Sequence, residues 1–131
     1  MIFKLTLFKG IKMEDRIKKI VDSLITGTTT GKLQWHGTER DDEYILKLSK
    51  GAITVDSWEG YDEESGDSSN LVDIAFLNAL GEVVERIIFP SYVAYPDYAR
   101  MMELHRLAKR NSLKIDETLD DFLEEIEKKI L

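Results

Sequence analysis

The chain of 131 residues contains no cysteine and only two histidines. The missing cysteine excludes disulfide bonds, thiolate nucleophiles, cysteine-ligated zinc and iron–sulfur clusters. It also fits a reducing compartment, so we expect a cytoplasmic protein. No apolar run approaches the roughly 20 residues that a membrane-spanning helix needs, and no small-residue cleavage site follows the apolar start of the chain. We therefore expect neither a membrane span nor a signal peptide.

Positive charge is in the minority, with 18 lysines and arginines against 25 aspartates and glutamates, and the net charge is −7. Nucleic-acid-binding proteins usually carry a basic surface, so this balance disfavours nucleic acid as a partner. An acidic surface attracts positive charge instead. Any protein that binds through this surface should therefore be basic.

The length fits a single domain, and an apolar fraction of 43% is enough for one core. We divide the chain into residues 1–12, an N-terminal extension or edge strand, and residues 13–131, a single α+β domain. Phe3, Leu5 and Leu7 alternate with polar residues, which is typical of a strand. A loosely held extension remains the alternative, because chain termini are often poorly anchored.

Residues 13–26 predict the first helix, because their apolar residues recur with helical spacing. These residues are Ile17, Ile20, Val21, Leu24 and Ile25. Gly27 is well placed to end the helix, since glycine tolerates the left-handed conformation common at helix ends. The segment Thr29 to Trp35 then marks the change from a helical to an alternating pattern, and we expect Trp35 to fill the core between helix and sheet.

Four segments alternate apolar and polar residues as strands do: 43–49, 52–58, 71–77 and 82–89. Their short connections predict an antiparallel meander. Two helices follow, one from about Asp97 to Arg110 and one from Asp116 onward. The predicted fold class is therefore α+β: a four-stranded antiparallel β-meander with one N-terminal helix and two C-terminal helices packed on one face.

The fourth predicted strand is apolar on both faces, with Ile87 and Phe89 on one and Val84 and Ile88 on the other. An exposed apolar sheet face usually marks an interaction surface. Either the N-terminal extension or a second chain would cover it, so this strand also favours a homodimer.

The amphipathic helix, the motif Thr-x-Gly-x-Leu-x-Trp from Thr29 to Trp35 and the β-meander resemble a loose group of small bacterial α+β proteins. The segments from Leu104 to Arg110 and from Ile115 to Leu123 add to the resemblance, which covers most of residues 13–131. The group has no assigned activity. The resemblance therefore implies a fold pattern and no catalytic residue.

His36 is the main candidate for catalysis, because the nearby Glu39, Asp41 and Asp42 could orient a histidine base. This observation gives one alternative function, a small hydrolase. The competing interpretation is a solvated His36, and the chain has no Gly-x-Ser-x-Gly nucleophile motif. His105, on the penultimate helix, is more typical of a border position than of a ligand.

The segment from Glu59 to Asn70 is rich in the oxygen ligands that calcium prefers. Counted from Asp62, however, glycine falls fifth rather than sixth, and Asp73 stands where an EF-hand requires glutamate. We therefore predict a polar hairpin loop, with no metal and no other cofactor.

The penultimate helix and the residues beside it carry a basic face that could contact phosphates. Its members are Arg100, Arg106, Lys109, Arg110 and Lys114. The acidic final helix comes next in sequence and would balance this charge. We therefore favour a charge-balanced helix pair over the alternative of nucleic-acid contact.

Tyrosine and tryptophan are frequent anchors of protein interfaces, because each joins a large apolar body to a polar tip. The candidate partner-binding residues are Trp58, Tyr61, Tyr92 and Tyr95. These aromatics, the acidic surface and the lack of a catalytic set favour a small non-catalytic binding or regulatory protein. Its expected partner is a basic protein.

Overall fold

The computed structural model describes residues 4–7, 14–61, 66, 68–92 and 96–131. The first elements are β1 (Lys4–Leu7), α1 (Asp15–Thr29), β2 (His36–Gly37) and β3 (Glu43–Leu48). The remaining elements are β4 (Gly51–Tyr61), β5 (Ser68–Asn78), β6 (Val83–Pro90), α2 (Asp97–Leu113) and α3 (Ile115–Ile130). The α+β class and the order of the three helices match the prediction.

The sheet of the described chain has six strands in the order β1-β6-β5-β4-β3-β2. Strands β2 to β6 form an antiparallel meander, as predicted, while β1 pairs parallel with β6. The predicted count of four strands is wrong, because β1 and β2 join the sheet at its two edges. A two-residue strand such as β2 is too short to show an alternating pattern in sequence.

The core lies on one face of the sheet, under α1 and α2. Tyr44, Val55, Ile74 and Ile87 are directly paired across four neighbouring strands, so their side chains share that face. All four are buried in one cluster with apolar residues of both helices. Each helix thereby covers the sheet with its apolar stripe.

Trp35 joins α1, α2 and the sheet, and it is fully buried, as predicted. Its Nε1 donates to Thr28 Oγ1 at 2.9 Å, and Thr28 Oγ1 in turn donates to Leu24 O at 2.6 Å. Asn111 of α2 fixes the backbone on either side of the ring. Its Oδ1 accepts from Trp35 N at 2.7 Å, and its Nδ2 donates to Leu33 O at 3.1 Å.

Helix α1 continues past Gly27 to Thr29, although Gly27 was predicted to end it. A Cβ atom at Gly27 would lie 2.6 Å from Leu33 Cδ1, so any larger residue would displace the Leu33 side chain that packs there. The positive φ belongs to Gly31, at 75°. The prediction that Gly27 ends the helix is therefore wrong, and Gly27 instead leaves room for the Leu33 side chain.

Helix α3 departs from the predicted packing. None of its residues is buried, and within the described chain its contacts with other elements are with α2 alone. Lys114, in the left-handed conformation with φ 53°, links the two helices. The prediction that both C-terminal helices pack on the sheet is therefore wrong for α3, because an apolar stripe in sequence does not reveal what covers it.

Candidate functional site

An open apolar groove of about 780 Å³ lies between α1 and the end of the sheet at the β3–β4 hairpin. Ile20 and Leu24 of α1, together with Leu33, form one wall. The floor comes from β3, β4 and β5, where Leu46 pairs with Ile53 and Ile53 pairs with Phe76. These strand residues occupy the helix-covered face, but α1 leaves this end of the face open.

Four basic residues border the groove: Arg16, Lys19, Lys32 and Lys50. Among the described residues, no aspartate or glutamate lines it. Arg16 pairs with the exposed Glu14 at 3.0 Å, whereas the other three make no ion pair with any described residue. We call this feature the basic-rimmed groove. It suits a ligand that is apolar on one face and negatively charged beside it.

Helix α3 carries the opposite combination. Its apolar side chains, each more than half exposed, are Leu119, Phe122, Leu123, Ile126 and Ile130. We call these five residues the α3 stripe. Acidic residues surround the stripe, and Asp120 and Glu127 flank it on one side at a spacing of two helical turns.

The predicted charge-balanced pair of C-terminal helices forms only in small part. Arg110 pairs with Asp116 at 2.5 Å, and this is the single ion pair between α2 and α3 in the described chain. Arg106 pairs within α2 with Glu103, and Arg100 pairs with Asp22 of α1. Most of the basic charge on α2 is therefore balanced by acids outside α3, and most acids of α3 face solvent.

The candidate partner-binding aromatics do not converge. Trp58 is half-buried, while Tyr61 and Tyr92 are largely exposed. Trp58 and Tyr61 are three residues apart on β4, so they point to opposite faces of the sheet. Tyr95 lies outside the described residues. The guanidinium of Arg86 stacks over Trp58 at 5.6 Å from the ring centroid.

Two buried aspartates occupy the sheet face opposite the core. Asp56 of β4 pairs directly with Asp73 of β5, and each is 1% exposed. Arg86 Nε donates to Asp73 Oδ2 at 2.5 Å, and Arg40 Nη2 lies 2.8 Å from Asp56 Oδ2. Sequence reasoning missed this cluster, because the register that places two acids side by side is not readable from either strand alone.

Burial dominates the electrostatics of this pair. It raises the pKa of Asp73 to about 6, although the Arg86 guanidinium opposes the rise and the charge of Asp56 adds to it. Burial likewise raises the pKa of Asp56, against the opposing charge of Arg40. Both carboxyls are enclosed and face arginines, so the pair is placed to make stability depend on pH rather than to meet a substrate.

The two histidines differ sharply. His36, on β2, is exposed, and its side chain makes no hydrogen bond or ion pair with any described residue. The hydrolase alternative needs His36 close to at least two acids, an arrangement absent from the part of the chain that the structure describes. His105 is buried, and its Nε2 donates to Asp42 O at 2.6 Å, while its ring meets Tyr44 edge to face.

We expect His105→Phe to lower the free energy of unfolding by about 1–2 kcal/mol, because Asp42 O loses its buried donor while the ring volume is kept. His36→Phe serves as the matched control and should change it by less than about 0.5 kcal/mol. Urea denaturation of both variants measures the difference. Equal effects would contradict the structural role given to His105.

Among the described residues, no group of three or more histidine, aspartate or glutamate side chains is placed to hold a metal ion. Residues 62–65 and 67 of the acidic loop lie outside them, so the expectation of no metal there stays a prediction. No helix of the described chain is both long and apolar enough to cross a membrane.

Comparison with protein-family models, with curated proteins and with solved structures finds no match to this chain. The resemblance to small bacterial α+β proteins therefore stays a prediction. The features of the chain that bear on its function are the basic-rimmed groove and the α3 stripe.

Proposed function

We propose that this protein is a small non-catalytic binding protein that presents α3 to a partner. The observation that carries the proposal is the α3 stripe, five large apolar side chains exposed on one face of a helix with no buried residue. Contiguous apolar patches of this kind mark interaction surfaces far more often than free surface.

Helix α3 is already formed in the absence of a partner. Its first turn contains Asp116 and Glu117 and its last turn Lys128 and Lys129, which is the favourable arrangement for the helix dipole. Lys128 Nζ also pairs with Glu124 Oε1 at 3.0 Å, one turn back. A preformed helix loses less conformational entropy on binding than a segment that must fold on its partner.

The spacing of the stripe fits helix-in-groove recognition. Anchors at positions i, i+3, i+4 and i+7, here Leu119 to Ile126, insert together into a hydrophobic groove. The acids beside them favour a groove that is edged by lysine or arginine. The expected partner is therefore a protein with an apolar groove and a basic border, in line with the basic partner that the composition suggests.

The proposal is tested with Leu119→Gln/Phe122→Gln/Ile126→Gln, which keeps good helix formers and touches no buried residue. Partners are first identified by affinity purification from native cells and then titrated as purified proteins. We expect the triple variant to raise the dissociation constant at least about 100-fold, because three apolar anchors lose their burial.

The matched control, Glu117→Gln/Asp121→Gln/Glu124→Gln, places three glutamines on the helical face away from the stripe. It should bind within about threefold of the wild type, since charges that face solvent contribute little. Unchanged binding of the stripe variant would refute α3 as the docking element.

A further inference from the structure

We propose that the basic-rimmed groove of one copy receives α3 of a second copy, so that two chains exchange their C-terminal helices in a two-fold dimer. This inference rests on the proposed function, because it names one partner for α3. It goes beyond it by assigning a ligand to the groove, which the proposed function leaves without a role.

Charge and polarity are complementary between the two surfaces. The groove combines an apolar floor with four basic residues on its border. The helix combines the α3 stripe with flanking acids such as Asp120 and Glu127. Lys19, Lys32 and Lys50 have no ion-pair partner among the described residues, so their charge is available to a docked acidic helix.

The lengths also agree. The wall of the groove formed by α1 extends from Arg16 to Gly27, and the α3 stripe extends from Leu119 to Ile130. Each segment spans eleven residue steps along its helix, which is a length of about 17 Å at 1.5 Å per residue. The stripe can therefore lie along α1 with all of its apolar residues over the groove.

The two surfaces begin at the same end of the molecule. Gly27, Lys32 and Leu33 line the groove, while Thr28, Gly31 and Gln34 line a separate cleft of about 280 Å³ at the start of α3. A short turn of chain thus separates the groove from the base of the helix. Reciprocal exchange of a terminal helix between neighbouring copies is a common route to closed two-fold dimers.

The area fits a weak, concentration-dependent dimer. The α3 stripe is about 17 Å long and a helix is about 10 Å wide, so one docked face covers on the order of 170 Å² on each surface. Two exchanged helices then bury on the order of 700 Å² in total, which is the size of a weak or transient interface.

The test uses a charge reversal on each surface of the full-length chain. The groove variant is Lys19→Glu/Lys32→Glu, and the helix variant is Asp120→Lys/Glu127→Lys; all four positions are exposed, so the fold should be retained. Sedimentation equilibrium over a range of concentrations and salt gives the dimer dissociation constant. We expect a wild-type dimer and at least about tenfold weaker association of each variant alone, since like charges then face each other.

Mixing the two variants is the decisive measurement. In the mixture an acidic groove meets a basic helix and a basic groove meets an acidic helix, so a 1:1 heterodimer should form with nearly wild-type affinity. Circular dichroism of each variant checks that the fold is intact. Failure of the mixture to associate, or a wild-type dimer that neither variant weakens, would overturn the inference.

The same set of proteins separates this inference from the proposed function. One outcome is a wild type that is monomeric up to millimolar concentration, together with a triple glutamine variant of the α3 stripe that no longer binds a purified native partner. The second-copy inference is then refuted and the proposed function stands. The exchange is also refuted if the wild type is monomeric and its groove holds a small molecule that has an apolar body and an acidic group. If the stripe variant leaves both dimerisation and partner binding unchanged, both proposals fall.

Discussion

Trp35→Ala is expected to lower the free energy of unfolding by about 4 kcal/mol, the range measured when large aromatic side chains are removed from cores. Trp35 is fully buried between α1, α2 and the sheet, so alanine leaves a cavity at the junction of three elements. The indole also holds the buried Thr28 hydroxyl through its Nε1–H. The cavity and the loss of this hydrogen bond therefore both lower the free energy of unfolding.

Guanidinium denaturation followed by circular dichroism measures this effect, because the second tryptophan, Trp58, complicates fluorescence. Thr28→Val separates the two contributions. It keeps the side-chain shape and the indole, and it removes the hydroxyl that accepts from the indole N–H and donates to Leu24 O, so it should cost about 1–3 kcal/mol. A loss below about 1 kcal/mol for Trp35→Ala would show that the core does not depend on this side chain.

Arg86→Met is expected to destabilise the protein strongly at neutral pH and much less under acid conditions. At neutral pH it leaves the charge of Asp73 buried without its partner, which typically costs about 3–5 kcal/mol. Below pH 4 Asp73 is protonated, so the remaining cost is the lost contact of Arg86 with Trp58, about 0.5–1 kcal/mol.

The direction of the pH effect follows from the raised pKa. Asp73 titrates near 6 in the folded protein and near about 4 when unfolded, so between these values the folded state binds more protons. The stability of the wild type therefore has a contribution that is complete below pH 4 and is lost as pH rises to about 6. This contribution is on the order of 3 kcal/mol. Without Arg86 the pKa rises further, so the loss extends above pH 6.

Denaturation curves of the wild type and Arg86→Met are measured from pH 4 to pH 8. The difference between their free energies of unfolding is compared at each pH, because repulsion among the other acids affects both proteins and cancels in the difference. Arg40→Met is the matched control on the neighbouring aspartate. Its arginine is 59% exposed, so solvent weakens its interaction with the buried Asp56. We expect a loss in the same direction as for Arg86→Met, but a smaller one. A stability difference that stays constant with pH would contradict the buried charge on Asp73.

The regular parts of the fold were predictable because each has a periodic pattern. The stripe from Ile17 to Ile25 indicates α1, and alternation indicates the four long strands of the meander. Pairing across strands was not predictable, since register depends on how two faces pack. For that reason the neighbouring positions of Asp56 and Asp73 emerged only from the structure.

The candidate site was less accessible to sequence reasoning. Three separate segments supply the basic residues of the groove, represented by Lys19, Lys32 and Lys50, and none forms a local cluster. The apolar stripe and acidic faces of α3 were visible in sequence but were assigned to packing within the chain. Periodicity shows that a face is apolar, and only the fold shows whether that face is already covered.

The border of the sheet at β3 has a further consequence. Strand β2 pairs only with Tyr44 and Ile45, so on the side away from β4 the stretch from Leu46 to Leu48 has no neighbouring strand in the described chain. Such open backbone can template stacking of chains into fibrils. Lys47, exposed in the middle of this stretch, places a charge where a second strand would have to approach. One lysine thus acts as a gatekeeper against cross-β aggregation.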